Sequence, residues 1–136
     1  MTYTTTTARA VRGALLAAAA LLTLGAAPPG HLAGDWLYLT LTQGAARSGD
    51  TRGTLLLCDP PQGHGRAAEA CGQLAAADGD IGRIPLRDGY CAMVYAPVTA
   101  QARGRWHGRP VSYRETFANP CELAARTGAV FALGAA

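Results

Sequence analysis

The sequence lacks the motifs by which enzymes are usually recognised. No serine lies in a G-x-S-x-G context, no glycine-rich phosphate loop follows a predicted strand, and no carboxylate pair stands out as acid and base. After the N-terminal stretch discussed below, the serines are Ser48 and Ser112 alone, and Glu115 and Glu122 fit a solvated surface. We therefore expect a protein that is not an enzyme.

Charge is also scarce. Charged residues make up 15% of the 136 residues, and lysine is absent. Of the 12 basic residues, Arg9 and Arg12 belong to the N-terminal stretch, so 10 remain against 9 acidic residues, a net charge of about +1. Proteins that bind nucleic acid carry a basic patch or stripe. Nucleic acid is therefore not an expected partner.

The N-terminal stretch has the pattern of a secretory signal peptide. Arg9 and Arg12 precede an apolar run from Gly13 to Leu24, and the small residues 25–27 follow. A membrane anchor would need about 20 apolar residues, but the prolines and glycine at 28–30 end the run. The pattern therefore predicts export and removal of this stretch.

The remaining chain is long enough for one compact domain and not comfortably for two. We expect residues 1–27 to be the signal peptide, residues 28–35 to be a flexible segment, and residues 36–136 to fold as the domain. The mature protein is then secreted and extracellular, with no membrane segment.

The four cysteines, an even number in a small exported chain, indicate two disulfide bonds. They are Cys58, Cys71, Cys91 and Cys121, and three connectivities are possible. Zinc is the alternative use of cysteines, but no C-x-x-C pair occurs and the histidines lack ligand spacing. We therefore expect disulfides, no metal and no other cofactor.

Alternating apolar residues predict an antiparallel sheet. In WLYLTLTQ, three leucines alternate with aromatic residues and threonines, which is typical of a half-buried strand. The WHGRP sequence predicts a hairpin turn between two later strands. The predicted strands cover residues 36–43, 54–58, 98–105, 111–118 and 129–133.

Between residues 66 and 77 the apolar spacing becomes helical. Ala67, Ala70, Cys71 and Leu74 fall on one face, and Gly79 is a plausible end of the helix. If Cys71 faces the sheet, the cysteine at the end of the second strand, Cys58, is its natural partner.

Two further segments complete the predicted fold. Residues 59–65 hold two prolines and two glycines and are predicted to be a connection only. Residues 122–127 predict one or two helical turns. The expected class is α+β, with about five antiparallel strands, one main helix, a second short helix and two disulfides.

The stretch GYCAMVYAPV, residues 89–98, departs from ordinary packing. Met93, Val94 and Tyr95 are core residue types, yet Cys91 and Pro97 flank them as in a constrained loop. From the residues alone, two interpretations stay open: a short core strand, or an exposed apolar loop tied down by a disulfide.

The residues from 37 to 133 resemble the Streptomyces subtilisin inhibitor family of secreted serine protease inhibitors. The resemblance is carried by the cysteines around the helix, CAMVYAPV at 91–98, GRWHGRPVSYRETFANPC at 104–121 and AVFAL at 129–133. It implies the disulfides Cys58–Cys71 and Cys91–Cys121.

The resemblance also implies a function for the loop. A subtilisin-like protease would receive it as a substrate, with Met93 in the primary specificity pocket and Met93-Val94 as the reactive bond. The protease-contact loop would include Tyr90, Cys91, Ala92 and Tyr95, supported by Asn119 and Cys121. The implied partners are subtilisin-like proteases and a second copy of the chain, paired across the sheet. The alternative is an extracellular binding module or protease substrate that no longer inhibits.

Two positions depart from the family pattern. Ala92 stands where the family commonly has proline before the specificity residue, and Ala96 stands where it commonly has aspartate. Loss of proline removes a fixed φ angle and leaves the loop more conformational freedom. The two departures are therefore expected to lower the affinity for the protease.

Overall fold

The computed structural model describes residues 34–44 and 49–134. The expected signal peptide lies outside these residues, as does the expected flexible segment up to residue 33. Among the described residues, no helix is long and apolar enough to span a membrane. The chain runs through β1 (Trp36–Gln43), β2 (Thr51–Cys58), β3 (Pro61–Gln62), α1 (Ala67–Ala76), a 3₁₀ turn (Ile81–Arg83), β4 (Val98–Trp106), β5 (Arg109–Phe117) and α2 (Pro120–Thr127).

The strands form one antiparallel sheet in the order β3-β2-β1-β4-β5. Two helices and two disulfides accompany it. The predicted α+β fold is therefore confirmed.

The alternation in β1 separates the two faces of the sheet. Leu37 and Leu39 are completely buried in the core, whereas Tyr38 between them is 51% exposed on the other face. Leu74 of α1 is also completely buried in this core, and apolar side chains of β4 and β5 complete it. The helix thus covers the face of the sheet on which the apolar side chains of β1, β4 and β5 meet.

The predicted hairpin turn joins β4 to β5. His107 and Gly108 both have positive φ, 47° and 75°, and Trp106 pairs directly with Arg109. Two consecutive residues with positive φ match the two-residue turn whose twist suits antiparallel strands.

Helix α1 ends against this hairpin. Asp78 and Gly79 follow the helix with positive φ angles of 53° and 76°. The Asp78 N–H donates to the carbonyl of Ala75 at 3.2 Å and the Gly79 N–H to that of Leu74 at 2.9 Å, as in a Schellman helix end. A Cβ built on Gly79 would collide with the Trp106 indole. Glycine is therefore required here both by the backbone angle and by close packing.

Several predicted boundaries or elements are wrong. Strand β5 covers Arg109–Phe117 instead of residues 111–118, and α2 begins at Pro120 instead of residue 122. Residues 129–133 form a turn and an irregular segment instead of a strand. Residues 61–62, predicted to be connection only, form the short strand β3 beside β2. The second strand begins at Thr51, three residues before the predicted start.

The buried segment after α2 has hydrogen-bond partners outside the sheet. The N–H of Ala129 donates to the Gln73 side-chain oxygen at 2.7 Å. Nδ1 of His64 accepts a hydrogen bond from the Arg66 N–H at 2.8 Å, so the ring proton is on Nε2. Nε2 therefore donates to the Val130 carbonyl at 3.0 Å. Because side chains satisfy these backbone groups, the segment is buried without forming a strand.

Candidate functional site

Large apolar side chains are exposed along the segment before β4, where Leu86 is 69% exposed and four more follow in the loop at residues 90–95. Met93 is 99% exposed, and Tyr90, Val94 and Tyr95 are exposed by 89, 59 and 83%. Residues 93–95 are in no strand. The alternative of a short core strand is therefore wrong, and the loop presents an apolar surface to solvent.

Both predicted disulfides are present. Cys58 and Cys71 join the end of β2 to α1, with Cα atoms 5.5 Å apart, and belong to the core rather than to the loop. Cys91 and Cys121, with Cα atoms 5.7 Å apart, join the loop to the first turn of α2. The second bridge therefore fixes the chain two residues before Met93.

Asn119 holds the loop from beneath. It is 6% exposed and precedes α2, and its Oδ1 accepts from the N–H of Glu122 at 2.9 Å. Its Nδ2 donates to the carbonyl of Val94 at 3.0 Å and lies 3.4 Å from that of Ala92. One side chain thus caps a helix and contacts backbone on both sides of Met93.

Backbone hydrogen bonds fix the two ends of the loop. On the N-terminal side, the N–H of Arg87 donates to the carbonyl of Ala125 in α2 at 2.8 Å. On the C-terminal side, the N–H of Ala96 donates to the carbonyl of Ala118 at 2.8 Å. These contacts could not be predicted from residue type, because they involve main-chain atoms only.

The centre of the loop has a tight local turn. The N–H of Val94 donates to the carbonyl of Ala92 at 2.8 Å, an i to i+2 contact that spans Met93. Although Ala92 replaces the proline common in the family, the loop is still held by the disulfide, by Asn119, by α2 and by this turn.

A charged cluster lies at the opposite end of β4, beside the hairpin turn. The Arg109 guanidinium is 2.8 Å from Asp78, and its hydrogen bond is the main reason that the pKa of Asp78 is lowered. His107 lies between two carboxylates, 3.3 Å from Asp35 and 3.6 Å from Asp78. Because this cluster is at the far end of the strand, it supplies no charge to the exposed loop.

A second polar contact lies on the helix-facing side of β5. The Tyr113 hydroxyl donates to Glu115 at 2.8 Å, and Arg126 of α2 lies 3.8 Å from the same carboxylate. Burial, followed by the hydrogen bond to Glu115, raises the pKa of Tyr113. Among the described residues, no group of three or more His, Cys, Asp or Glu could hold a metal ion.

These features define a small disulfide-bonded domain that displays a preformed apolar peptide loop to solvent. Residues 33–119 match the family described as subtilisin inhibitor-like. The chain belongs to this family of protease inhibitors.

Individual relatives agree with the assignment. A Streptomyces avermitilis protein described as a "putative serine protease inhibitor" is 58% identical over 134 residues, covering 95% of this chain and 90% of that protein. The subtilisin inhibitor of Streptomyces albogriseolus is 43% identical over 60 residues, covering 43% of this chain and 42% of that protein.

A solved structure is similar as well. It is the crystal structure of Streptomyces caespitosus sermetstatin in complex with Bacillus licheniformis subtilisin. The TM-score is 0.59 with 32% sequence identity, and the match covers 72% of this chain and 97% of that chain.

Proposed function

We propose that this chain is a secreted inhibitor of subtilisin-type serine proteases that binds like a substrate through the Met93-Val94 bond. The observation that carries the proposal is the geometry of Met93, which is 99% exposed while Asn119 and the Cys91–Cys121 bridge hold the backbone beside it. The side chain is free to enter a pocket of the protease, and the backbone is already ordered.

The proposed contacts follow from the positions around this bond. Met93 fills the primary specificity pocket with an unbranched apolar side chain. Tyr90, Ala92 and Tyr95 extend the contact on both sides, and each is exposed. Standard protease–inhibitor interfaces bury about 1,600 Å² in total, and their high affinity depends on a loop with little ordering entropy left to lose.

The supports explain how a cleavable loop inhibits. After attack on the Met93 carbonyl, the acyl half of the loop ends two residues beyond Cys91, which is bonded to Cys121. The leaving half begins at Val94, whose carbonyl accepts from Asn119, and Ala96 is bonded to Ala118. Because both halves stay in place, the new amine remains beside the acyl carbon and the bond re-forms. The protein is thus an inhibitor and not itself an enzyme.

We further propose that the inhibitor is exported through residues 1–27 as a signal peptide, and that residues 36–136 form the inhibitory domain. The apolar run of that stretch and the two disulfides both suit an extracellular protein.

A homodimer is proposed through the face of the sheet that α1 leaves open. On this face Tyr38 is opposite Leu55 and Trp36 is opposite Leu57, so the four side chains form one patch. Tyr38 is 51% exposed and the other three are partly buried. Sedimentation equilibrium should give a dimer, and Tyr38→Glu should give a monomer that still inhibits, because the loop is elsewhere. A monomeric parent protein would exclude this dimer.

Titration of subtilisin with the purified protein tests the main proposal. Stoichiometric loss of activity with the inhibitor intact is the expected result. Rapid proteolysis without inhibition would instead identify the chain as a substrate or non-inhibiting module. Parallel titrations of chymotrypsin and trypsin define the specificity, and trypsin should be inhibited least because Met93 has no charge for its acidic pocket.

A further inference from the structure

Met93 is chemically singular in this chain. The sequence contains two methionines, and the other is Met1, within the proposed signal peptide. All four cysteines are in disulfides, so none carries a thiol. The two tryptophans are less exposed than Met93, since Trp106 is 3% exposed and Trp36 is partly buried. The thioether of Met93, 99% exposed, is therefore the sulfur most accessible to a two-electron oxidant among the described residues.

We propose that Met93 is a site of reversible oxidation that weakens inhibition, an inference that rests on the function proposed above. The co-reactant is a peroxide, ROOH, and hydrogen peroxide is its simplest form. The sulfur lone pair attacks the terminal oxygen, a sulfur–oxygen bond forms and the O–O bond breaks, and the proton of the transferred oxygen passes to the departing RO⁻. The sulfur is oxidised by two electrons to the sulfoxide, and the peroxide is reduced to ROH, or to water from hydrogen peroxide.

The effect on binding follows from where the sulfur lies. Oxidation converts a flexible apolar side chain into a polar, chiral one. In the complex the oxidised side chain enters an apolar specificity pocket. There the sulfoxide oxygen loses its hydrogen bonds to water, and the pocket offers no hydrogen-bond donor to replace them. The expected loss of affinity for subtilisin is about 10- to 100-fold.

The effect on folding is expected to be small for the same geometric reason. Met93 extends into solvent, and the loop is held by Asn119 and by the Cys91–Cys121 bridge. None of these supports involves the thioether. Oxidation therefore weakens inhibition without releasing the loop. Exposure leaves the sulfoxide open to methionine sulfoxide reductases, one for each epimer.

The test uses the full mature protein and a matched variant, Met93→Leu, which keeps an apolar side chain and has no sulfur. Each is treated with hydrogen peroxide, residual peroxide is removed with catalase, and peptide mass mapping measures the fraction of sulfoxide at Met93. Subtilisin inhibition and thermal unfolding are then measured before treatment, after treatment, and after incubation with sulfoxide reductases A and B.

The expected result is a gain of one oxygen at Met93, a 10- to 100-fold weaker inhibition constant, an unchanged unfolding temperature and recovery with the two reductases. Met93→Leu should inhibit subtilisin and keep that inhibition after peroxide. Unchanged inhibition after full oxidation at Met93 would overturn the proposed effect of oxidation. A loss of inhibition that the reductases do not restore would overturn its reversibility. Both outcomes leave the proposed function standing. Absence of inhibition before any peroxide is added overturns both.

Discussion

The side-chain amide of Asn119 donates to the carbonyl of Val94 at 3.0 Å, across 25 residues of sequence. The same side chain accepts from Glu122 and begins α2. The position of the exposed loop is therefore tied to the start of a helix, and the two roles of Asn119 can be separated by substitution.

Asn119→Ser should keep the helix cap and lose the loop support. Serine caps helices about as well as asparagine, but its hydroxyl is too short to reach Val94. Asn119→Ala loses both roles and should be less stable than Asn119→Ser by about 1 kcal/mol in urea unfolding. Both variants should inhibit subtilisin about 10-fold more weakly and be cut at Met93-Val94 during long incubations. Undiminished inhibition by Asn119→Ser would limit Asn119 to its capping role.

Met93→Lys should redirect the inhibitor toward trypsin. The lysine ammonium would meet the acidic specificity pocket, and a close charge pair in a protein complex should strengthen trypsin inhibition at least about 10-fold. Inhibition constants for trypsin and subtilisin measure the shift, and Met93→Leu is the uncharged control that should not change trypsin inhibition. If Met93→Lys and the parent protein inhibit trypsin equally, another residue fills the pocket.

Replacing Cys91 and Cys121 together by serine should separate folding from lasting inhibition. Loss of this bridge, whose cysteines are 30 residues apart, should lower the free energy of unfolding by about 3–4 kcal/mol. At low temperature the domain should fold, but the acyl half of the loop would drift after cleavage and subtilisin activity would return with time.

The matched control replaces the other pair, Cys58 and Cys71, whose bridge joins β2 to α1. It should cost a similar free energy of unfolding, about 3 kcal/mol, yet inhibit persistently when folded. Lasting inhibition by an intact, folded Cys91/Cys121 variant would assign that bridge a structural role only.

Gly79→Ala adds a single methyl group and should lower the free energy of unfolding strongly. Alanine would adopt φ 76° at a cost of about 1–2 kcal/mol, and its Cβ would overlap the Trp106 indole, adding about 1–3 kcal/mol. Gly108→Ala is the control, because Gly108 has φ 75° with no atom near the added Cβ, and should lose only the first amount. Urea unfolding of both variants measures the difference. Equal losses would show that the core adjusts around Trp106.

Alkaline pH should destabilise the fold through Tyr113. Its pKa is raised in the folded state above the ordinary value of 10.0, so the folded protein holds this proton more tightly than the unfolded chain. The contribution is fully present below pH 10.0 and is lost as pH rises toward the folded-state pKa. Urea unfolding between neutral pH and pH 11 measures this slope.

Tyr113→Phe should be less stable at neutral pH by about 1 kcal/mol, because the hydrogen bond to Glu115 is lost. The difference in free energy of unfolding between Tyr113→Phe and the parent should shrink above pH 10, because the parent protein loses stability there. The exposed Tyr90→Phe is the control for removal of a tyrosine hydroxyl and should match the parent's stability at neutral pH. An alkaline slope that is unchanged in Tyr113→Phe would assign the effect elsewhere.

The elements that the sequence predicted correctly have local patterns. The alternation of residues 36–43 and the helical spacing of Ala67, Cys71 and Leu74 each mark one buried face, and both elements are found there. The WHGRP turn was also recognisable, because glycine at a positive φ is a local requirement.

The failures depend on distant partners. The apolar composition of residues 129–133 suits a strand and a buried turn equally, and the side chains of Gln73 and His64 decide between them. Pro61 argued against a strand, yet at the edge of a sheet a proline is tolerated, and Pro61 pairs with Cys58 there.

The candidate site was only partly visible in the sequence. From the residues alone, the exposed loop and a core strand were equally open, and the family resemblance pointed to Met93-Val94. The resemblance also pointed to Asn119, but the direction of its amide emerges from the fold. The supports from Arg87 and Ala96 are main-chain contacts and leave no mark in residue type.

The strand order gives the Met93-Val94 bond one more property. A cut there divides the chain into one fragment with β1, β2, β3 and α1 and another with β4, β5 and α2. Strand β1 lies between β2 and β4 and pairs with β4 along its whole length, and the Cys91–Cys121 bridge crosses the cut. The hydrolysed molecule is thus a split protein, and its two fragments contribute strands to the same sheet. The fragments therefore stay associated after hydrolysis of the loop.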